Sequence, residues 1–258
     1  MPKLTSKDWD RDEHILAFNL YCKIPFGTIH MRNPKVIELA EILGRSVGAV
    51  SYKLANFARL DPTLQARGIR GMAHGAKGEA EIWREFATDG EKLVYESEKL
   101  LAERTGTSLE RLAEIDEREL PAEGLDRERL VKTRVNQHFF RAAVLAAYNF
   151  RCCVSGLAVQ PLLVASHIVP WSLDAKNRMN PRNGLCLNAL HDRAFDRGLM
   201  TVTADFKVEI NGALTPSSKA DEEPLAWLRR FEGAALMLPK KFPPDAALLA
   251  LHRKRWSA

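Results

Sequence analysis

Apolar side chains over the first sixty residues recur three and four apart, the interval at which a helix returns to one face. Residues 6–21 open on Ser6 and run on as DWDRDEHILAFNLY, with Trp9, Ile15, Leu16, Phe18 and Leu20 behind a first turn crowded with acids. Carboxylates are favourable at the positive end of a helix dipole, so a capped helix is predicted there. KIPFGTIHMRNP reads as loop. Asn33-Pro34 then supplies a cap and a proline for the first helical position, Val36, Ile37, Leu39, Ala40 and Leu43 mark one face, and Gly44 stops the run. Ser46 caps a further helix with Val50, Leu54 and Phe57 on one side.

Two short helices joined through Leu43-Gly44-Arg45-Ser46 make a helix-turn-helix pattern over about residues 33–58. In such a unit the second helix reads DNA, and Ser51, Tyr52, Lys53 and Asn56 are its candidate base or phosphate contacts. The competing reading is a packed helix pair with no DNA contact. After Asp61-Pro62, LQARGIRGMAHGAKG sets Gly68, Gly71, Gly75 and Gly78 among Arg67, Arg70, His74 and Lys77. A glycine-rich basic loop lets backbone N–H groups and cations approach phosphates, although no Gly-Lys-Ser/Thr completes a P-loop. Residues 79–118 are again helical in pattern, and Pro121-Ala-Glu-Gly124 breaks it. The expected organisation is a helical domain over 1–120, a linker over 121–131 and a second domain over 132–258.

In the second domain the period changes. Phe139, Phe140, Val144, Leu145 and Tyr148 still give a helical face, and a turn follows at Ser155-Gly156. Leu162, Leu163, Val164 and Ile168 then form an apolar stretch suited to a strand, with His167 inside it. The loop SLDAKNRMNPRN leads to a short second strand, Gly184-Leu-Cys-Leu187. Asn188 can cap a helix, ALHDRAFDRG, that Gly198 ends. Strand, loop, strand and helix in about forty residues form a ββα unit. MTVTADFKVEING alternates as strands do, and the remainder is helical or irregular up to a basic end at His252–Arg255. The fold class expected is α+β: a mainly helical N-terminal domain followed by the ββα domain.

ASHIVPW, RMNPRNGLCL and HDRAFDRGL, in that order, resemble the HNH (ββα-metal) endonuclease family, in particular the branch found in bacterial restriction endonucleases, some of them modification-dependent. VNQHFFRAAVLAAYNFRCCVSG ahead of them and LPKKFPPDAALLALHR behind them are similar to that branch as well, so the resemblance covers about residues 132–256. It implies a metal-dependent DNA endonuclease that leaves 5′-phosphate and 3′-hydroxyl ends. His167 matches the family's general base, and a side chain that titrates near neutrality is suited to taking a proton from water. Asn183 matches the asparagine whose amide ties loop to strand. His191 matches the last histidine, a ligand of one divalent ion, with Mg²⁺ or Mn²⁺ expected.

Ser166 stands where many members carry a second ligand, Asp or His. Four residues past His191 is Phe195, while Asp192 and Asp196 lie about 100° and 140° around an ideal helix from it. Asp196 is retained as a weak second ligand. Arg178 and Arg182 are candidate phosphate contacts. The four cysteines, Cys22, Cys152, Cys153 and Cys186, complete no CxxC knuckle, so structural zinc is not expected.

Charge sharpens the picture modestly. The 258 residues carry a net charge of +5. Residues 91–130 hold twelve Asp/Glu against seven Lys/Arg, whereas 131–200 hold nine Lys/Arg against three Asp/Glu. An acidic connector leading into a basic working domain fits a double-stranded DNA partner, base-modified or not. No apolar run approaches the ~20 residues that span a bilayer, and the first residues lack a signal-peptide core, so a reduced, cytoplasmic protein with no membrane partner is expected. One ββα site cuts one strand, which favours a homodimer for double-strand cleavage. A DNA-binding regulator with a degenerate nuclease fold is the alternative, motivated by Ser166 and the helix pair.

Overall fold

The computed structural model describes residues 8–68, 77–212 and 214–256. The chain divides into two compact units, Met1–Ala147 and Tyr148–Ala258.

The first unit is helical: α1 (Arg11–Lys23), α2 (Pro34–Leu43), α3 (Val47–Leu60), α4 (Pro62–Ala66), α5 (Lys77–Thr105), α6 (Leu109–Leu112) and α7 (Leu125–Ala147). Asp10, not Ser6, caps α1: its side chain accepts from Glu13 N while Glu13 reaches back to Asp10 N, and Ser6 lies outside the described residues. Phe18 on α1 packs against Phe57 of α3 and Phe86 of α5, ring centroids 5.3 and 4.9 Å apart. Those contacts, with buried Ile15, Leu54 and Tyr21, form the centre of the unit. α7 packs on α1 and α5, so it belongs here, where the sequence pattern groups it with the nuclease region. Most of the glycine-rich basic loop, with Arg70, Gly71, His74 and Gly75, lies outside the described residues.

The second unit carries two small antiparallel sheets, β1 (Leu163–His167) with β2 (Gly184–Asn188), and β3 (Met200–Val202) with β4 (Val208–Ile210). Register runs from Leu163 opposite Asn188 to His167 opposite Gly184. α8 (Ala189–Asp196) leaves β2 directly and folds back on both strands. Asn188 starts it by accepting from His191 N at 2.9 Å. Gly198 ends it in a left-handed conformation, φ 67°, that lets Leu199 N reach Ala194 O at 2.9 Å. α9 (Glu222–Arg229) and α10 (Ala246–Trp256) complete the unit, α10 lying against β3. Strand, loop, strand and helix thus stand where the sequence predicts them, and the architecture is α+β. Among the described residues no helix is long and apolar enough to cross a membrane.

Candidate active site

His167 is the last residue of β1, and the loop that follows is fastened to it by Asn183. Ile168 N donates to Asn183 O at 2.9 Å, continuing the ladder by one step. The Asn183 side chain is fully buried and uses both ends of its amide. Its Oδ1 accepts from Val169 N at 2.8 Å, and its Nδ2 donates to Val169 O at 3.0 Å and Asn177 O at 3.2 Å. This side chain closes the loop onto the strand and touches no group that reacts.

His167 is half-buried, with Nε2 3.1 Å from Arg178 O. A carbonyl oxygen only accepts, so Nε2 carries the proton and the lone pair falls on Nδ1. The Trp171 ring meets the imidazole edge-on, centroids 5.6 Å apart. Burial lowers the His167 pKa, while the Arg178 carbonyl and the Asp196 carboxylate raise it; the net shift is downward. A neutral, tautomerically fixed imidazole is what a base requires.

Arg178 helps to hold this arrangement. Its Nε donates to Trp171 O at 2.8 Å and its guanidinium lies 5.4 Å over the Trp171 ring. Arg182 pairs with Asp245 at 3.5 Å while remaining half-exposed. The expected phosphate contacts are therefore both engaged within the protein, Arg178 more completely.

α8 presents two faces. Asp192 and Asp196, one turn apart, turn toward the end of β1. Burial raises the Asp192 pKa, the Ser166 hydroxyl lowers it, and Asp196 raises it again; the net shift is upward. Ser166 Oγ is buried without a hydrogen bond of ordinary geometry, yet close enough to act on that carboxyl. The group on this side is thus Ser166, His167, Asp192 and Asp196. The oxygen donors of Ser166, Asp192 and Asp196 are of the hard kind that a divalent ion takes. Among the described residues no group of three or more His, Cys, Asp or Glu side chains is placed to hold a metal ion. A phosphate oxygen and water would complete such a site.

His191 lies on the other face, fully buried. Its ring stacks on Trp227 with centroids 5.1 Å apart and meets Phe231 edge-on at 4.8 Å. Nδ1 is 3.1 Å from Asn188 Nδ2 and 3.4 Å from Cys152 Sγ, and Nε2 is buried without a partner. Burial, then Arg230, push its pKa down to about 4. None of these neighbours belongs to the His167 group. The structure brings Asp196 to His167 and leaves His191 in the core. Asp192, set aside in the sequence because it lies about 100° around the helix from His191, is the side chain that stands one turn from Asp196: the i, i+4 test applied from His191 meets Phe195, whereas applied from Asp192 it meets Asp196.

In the first unit the helix-turn-helix pattern forms, with Gly44 at φ 62° and Ser46 Oγ accepting from Ala49 N at 3.1 Å. Two of its expected contacts require correction. Lys53 is buried and donates to Glu79 at 2.7 Å, its ammonium 4.8 Å over the Trp9 ring. Asn56 is buried and donates to the same Glu79 oxygen at 2.9 Å. Burial raises the Glu79 pKa, but these two bonds, with a backbone hydrogen bond and the Lys53 charge, more than offset it and the net shift is downward. A lone buried carboxylate is costly, so both side chains are committed inward. Ser51 stays half-buried and Tyr52 is exposed.

No curated protein matches the chain. Residues 152–203, which take in β1, the Asn183 loop, β2 and α8, match the family model described as HNH endonuclease, and over this segment the chain carries a domain of the HNH endonuclease family.

Proposed function

We propose that the protein is a metal-dependent DNA endonuclease of restriction type, in which the second unit cuts and the first selects the target. The observation that carries the cutting step is the contact of His167 Nε2 with the Arg178 carbonyl. With Nε2–H held by Arg178 O, Nδ1 is the basic nitrogen that would take a proton from water, and the Asp196 carboxylate is near enough to act on the ring. Asp192 and Asp196, with Ser166 beside them, would hold the divalent ion, and His191 serves the core. A divalent ion there supplies charge stabilisation for the phosphate and the leaving oxygen. Asn183 keeps the His167 strand and its loop in register, so that the base is aimed before substrate arrives.

Target choice falls to the exposed side of α3, where Tyr52 is exposed and Ser51 half-buried, while Lys53 and Asn56 hold the unit together. Double-stranded DNA, with or without modified bases, is the proposed substrate. A homodimer would place one site on each strand, and a cytoplasmic location suits such a substrate.

The test compares the wild type, His167→Ala and Asp192→Asn on modified and unmodified genomic DNA with Mg²⁺ or Mn²⁺. Loss of a positioned base costs about 10²–10⁴ in rate, so metal-dependent cutting should fall by that factor in His167→Ala. DNA binding without cutting by the wild type, under either metal, would replace this reading with that of a non-catalytic regulator.

A further inference from the structure

The far end of α8 is held by a residue that lies well beyond the matched segment. His252, on α10, stacks on Phe195 with centroids 3.7 Å apart and ring planes 3° from parallel. Its Nε2 is 3.1 Å from Phe195 O and its Nδ1 is 3.1 Å from Thr201 Oγ1. The carbonyl can only accept, so Nε2–H donates to it and the Thr201 hydroxyl donates to Nδ1. Phe195 O already receives Gly198 N at 3.0 Å, so His252 adds a second bond to a carbonyl of the helix's last turn.

Neighbouring contacts point the same way. A Cβ on Gly198 would come within 2.3 Å of the Trp256 ring, so α10 closes directly over the α8 terminus. Arg253 pairs with Glu209 at 2.9 Å and ties α10 to β4. α8 has only eight residues, and helices shorter than about 12–15 residues have little stability of their own. Asp196 is its last residue, next in sequence to the Phe195 that His252 grips.

We propose that His252 is a positioning residue of the nuclease site: through Phe195 it fixes the last turn of α8 and with it the direction of the Asp196 carboxylate. The working nuclease unit then extends to α10, beyond residues 152–203. This inference rests on the reading of Asp192 and Asp196 as the holders of the ion.

The test uses the full chain as wild type, His252→Phe, His252→Gln, Thr201→Val and Asp196→Asn. Each is measured for Mn²⁺ affinity by calorimetry without DNA, for kcat and KM on plasmid DNA, and for thermal unfolding. His252→Phe keeps a ring against Phe195 and loses both hydrogen bonds. Removing such an outer partner costs about 10–100-fold in metal affinity or activity, so Mn²⁺ binding should weaken about tenfold or more. kcat should fall while KM for DNA stays put. His252→Gln, whose amide N–H can reach Phe195 O, should recover part of the affinity. Should the Phe variant fail to fold, Thr201→Val, which removes only the donor to Nδ1, carries the comparison with a smaller loss. A lowered melting temperature with wild-type Mn²⁺ affinity and kcat would overturn the proposal and leave His252 a packing residue. Wild-type Mn²⁺ affinity in Asp196→Asn would overturn the underlying reading of the ion site, and this inference with it.

Discussion

Asn183→Asp changes one atom type and reverses one hydrogen-bonding role. The wild-type Oδ1 accepts from Val169 N, and an aspartate oxygen can do the same. The wild-type Nδ2 donates to Val169 O and Asn177 O, and a carboxylate oxygen in its place repels both. Two hydrogen bonds are worth about 1 kcal/mol each, and an uncompensated buried charge costs about 3–5 kcal/mol when its partner is removed. The variant should therefore lose at least about 3 kcal/mol at pH 7, or more than about 12 °C in melting temperature for a unit of roughly 100 residues. The loss has a pH signature. The two carbonyls raise the folded-state pKa of the new carboxyl above its unfolded value of about 3.9. Above the raised value the carboxyl is charged in both states and the penalty is complete. As pH falls through it, the acid takes up a proton and its O–H can donate to one carbonyl. The gap in melting temperature between wild type and variant should thus be widest near pH 7 and narrow toward pH 4. Thermal unfolding followed by circular dichroism from pH 4 to 8 measures it. A gap that stays constant with pH, or no gap at pH 7, would refute the assignment of the amide's two ends.

Two further predictions separate packing from function. Lys53→Met should cost about 3–5 kcal/mol, since Glu79 would be left buried without its cation. Tyr52→Ala should stay within about 0.5 kcal/mol of wild type, as exposed substitutions do, yet weaken DNA binding in a mobility-shift titration; the opposite ordering would return Lys53 to the reading face. Acid should also destabilise the second unit through its buried histidines. His252 and His191 are both pushed down to about 4, whereas an unfolded histidine titrates near 6.5. Stability is complete above about pH 6.5 and is lost as pH falls toward 4, by up to about 3 kcal/mol for each histidine. Urea midpoints at pH 7.5 and 4.5 read this directly, His252→Phe should lose the part of the dependence that His252 contributes, and a flat wild-type profile would refute the burial argument.

Local signals in the sequence carried most of the fold. Asn33-Pro34, Gly44 and Ser46 are cap and stop residues whose effects act within one turn, so α2 and α3 appear where they predict. The β1–β2–α8 order is legible for the same reason, with Asn188 and Gly198 bounding α8. What the pattern could not supply was partners far along the chain. Lys53 and Asn56 sit on a helix that looks like a reader, and only the return of Glu79 on α5 turns them inward. The assignment of α7 depends likewise on packing against α1 and α5, which no run of apolar residues within 125–147 announces.

The site was legible in its strand and ambiguous in its helix, and the geometry of α8 explains why. His167 is placed by the apolar run around it and by its match to the family's first histidine, and a residue at the end of β1, opposite Gly184, has few ways to point. A two-turn helix on a hairpin has an inner and an outer face about half a turn apart, and His191 and the aspartates lie on different ones. Sequence alone gives their angular separation and not which of them is inside. The choice is made by the apolar partners: Trp227 and Phe231 cover His191, while Ser166 and His167 meet the aspartates. A histidine enclosed by two aromatic rings, with Nε2 lacking any partner, stabilises the helix on the face away from the base. The carboxylates stand on the other face, and the same helix is closed at its far end by His252. Helix α8 is therefore packed on its inner face through His191 and bonded at its C-terminus by His252, with Asp192 and Asp196 one turn apart on the other side.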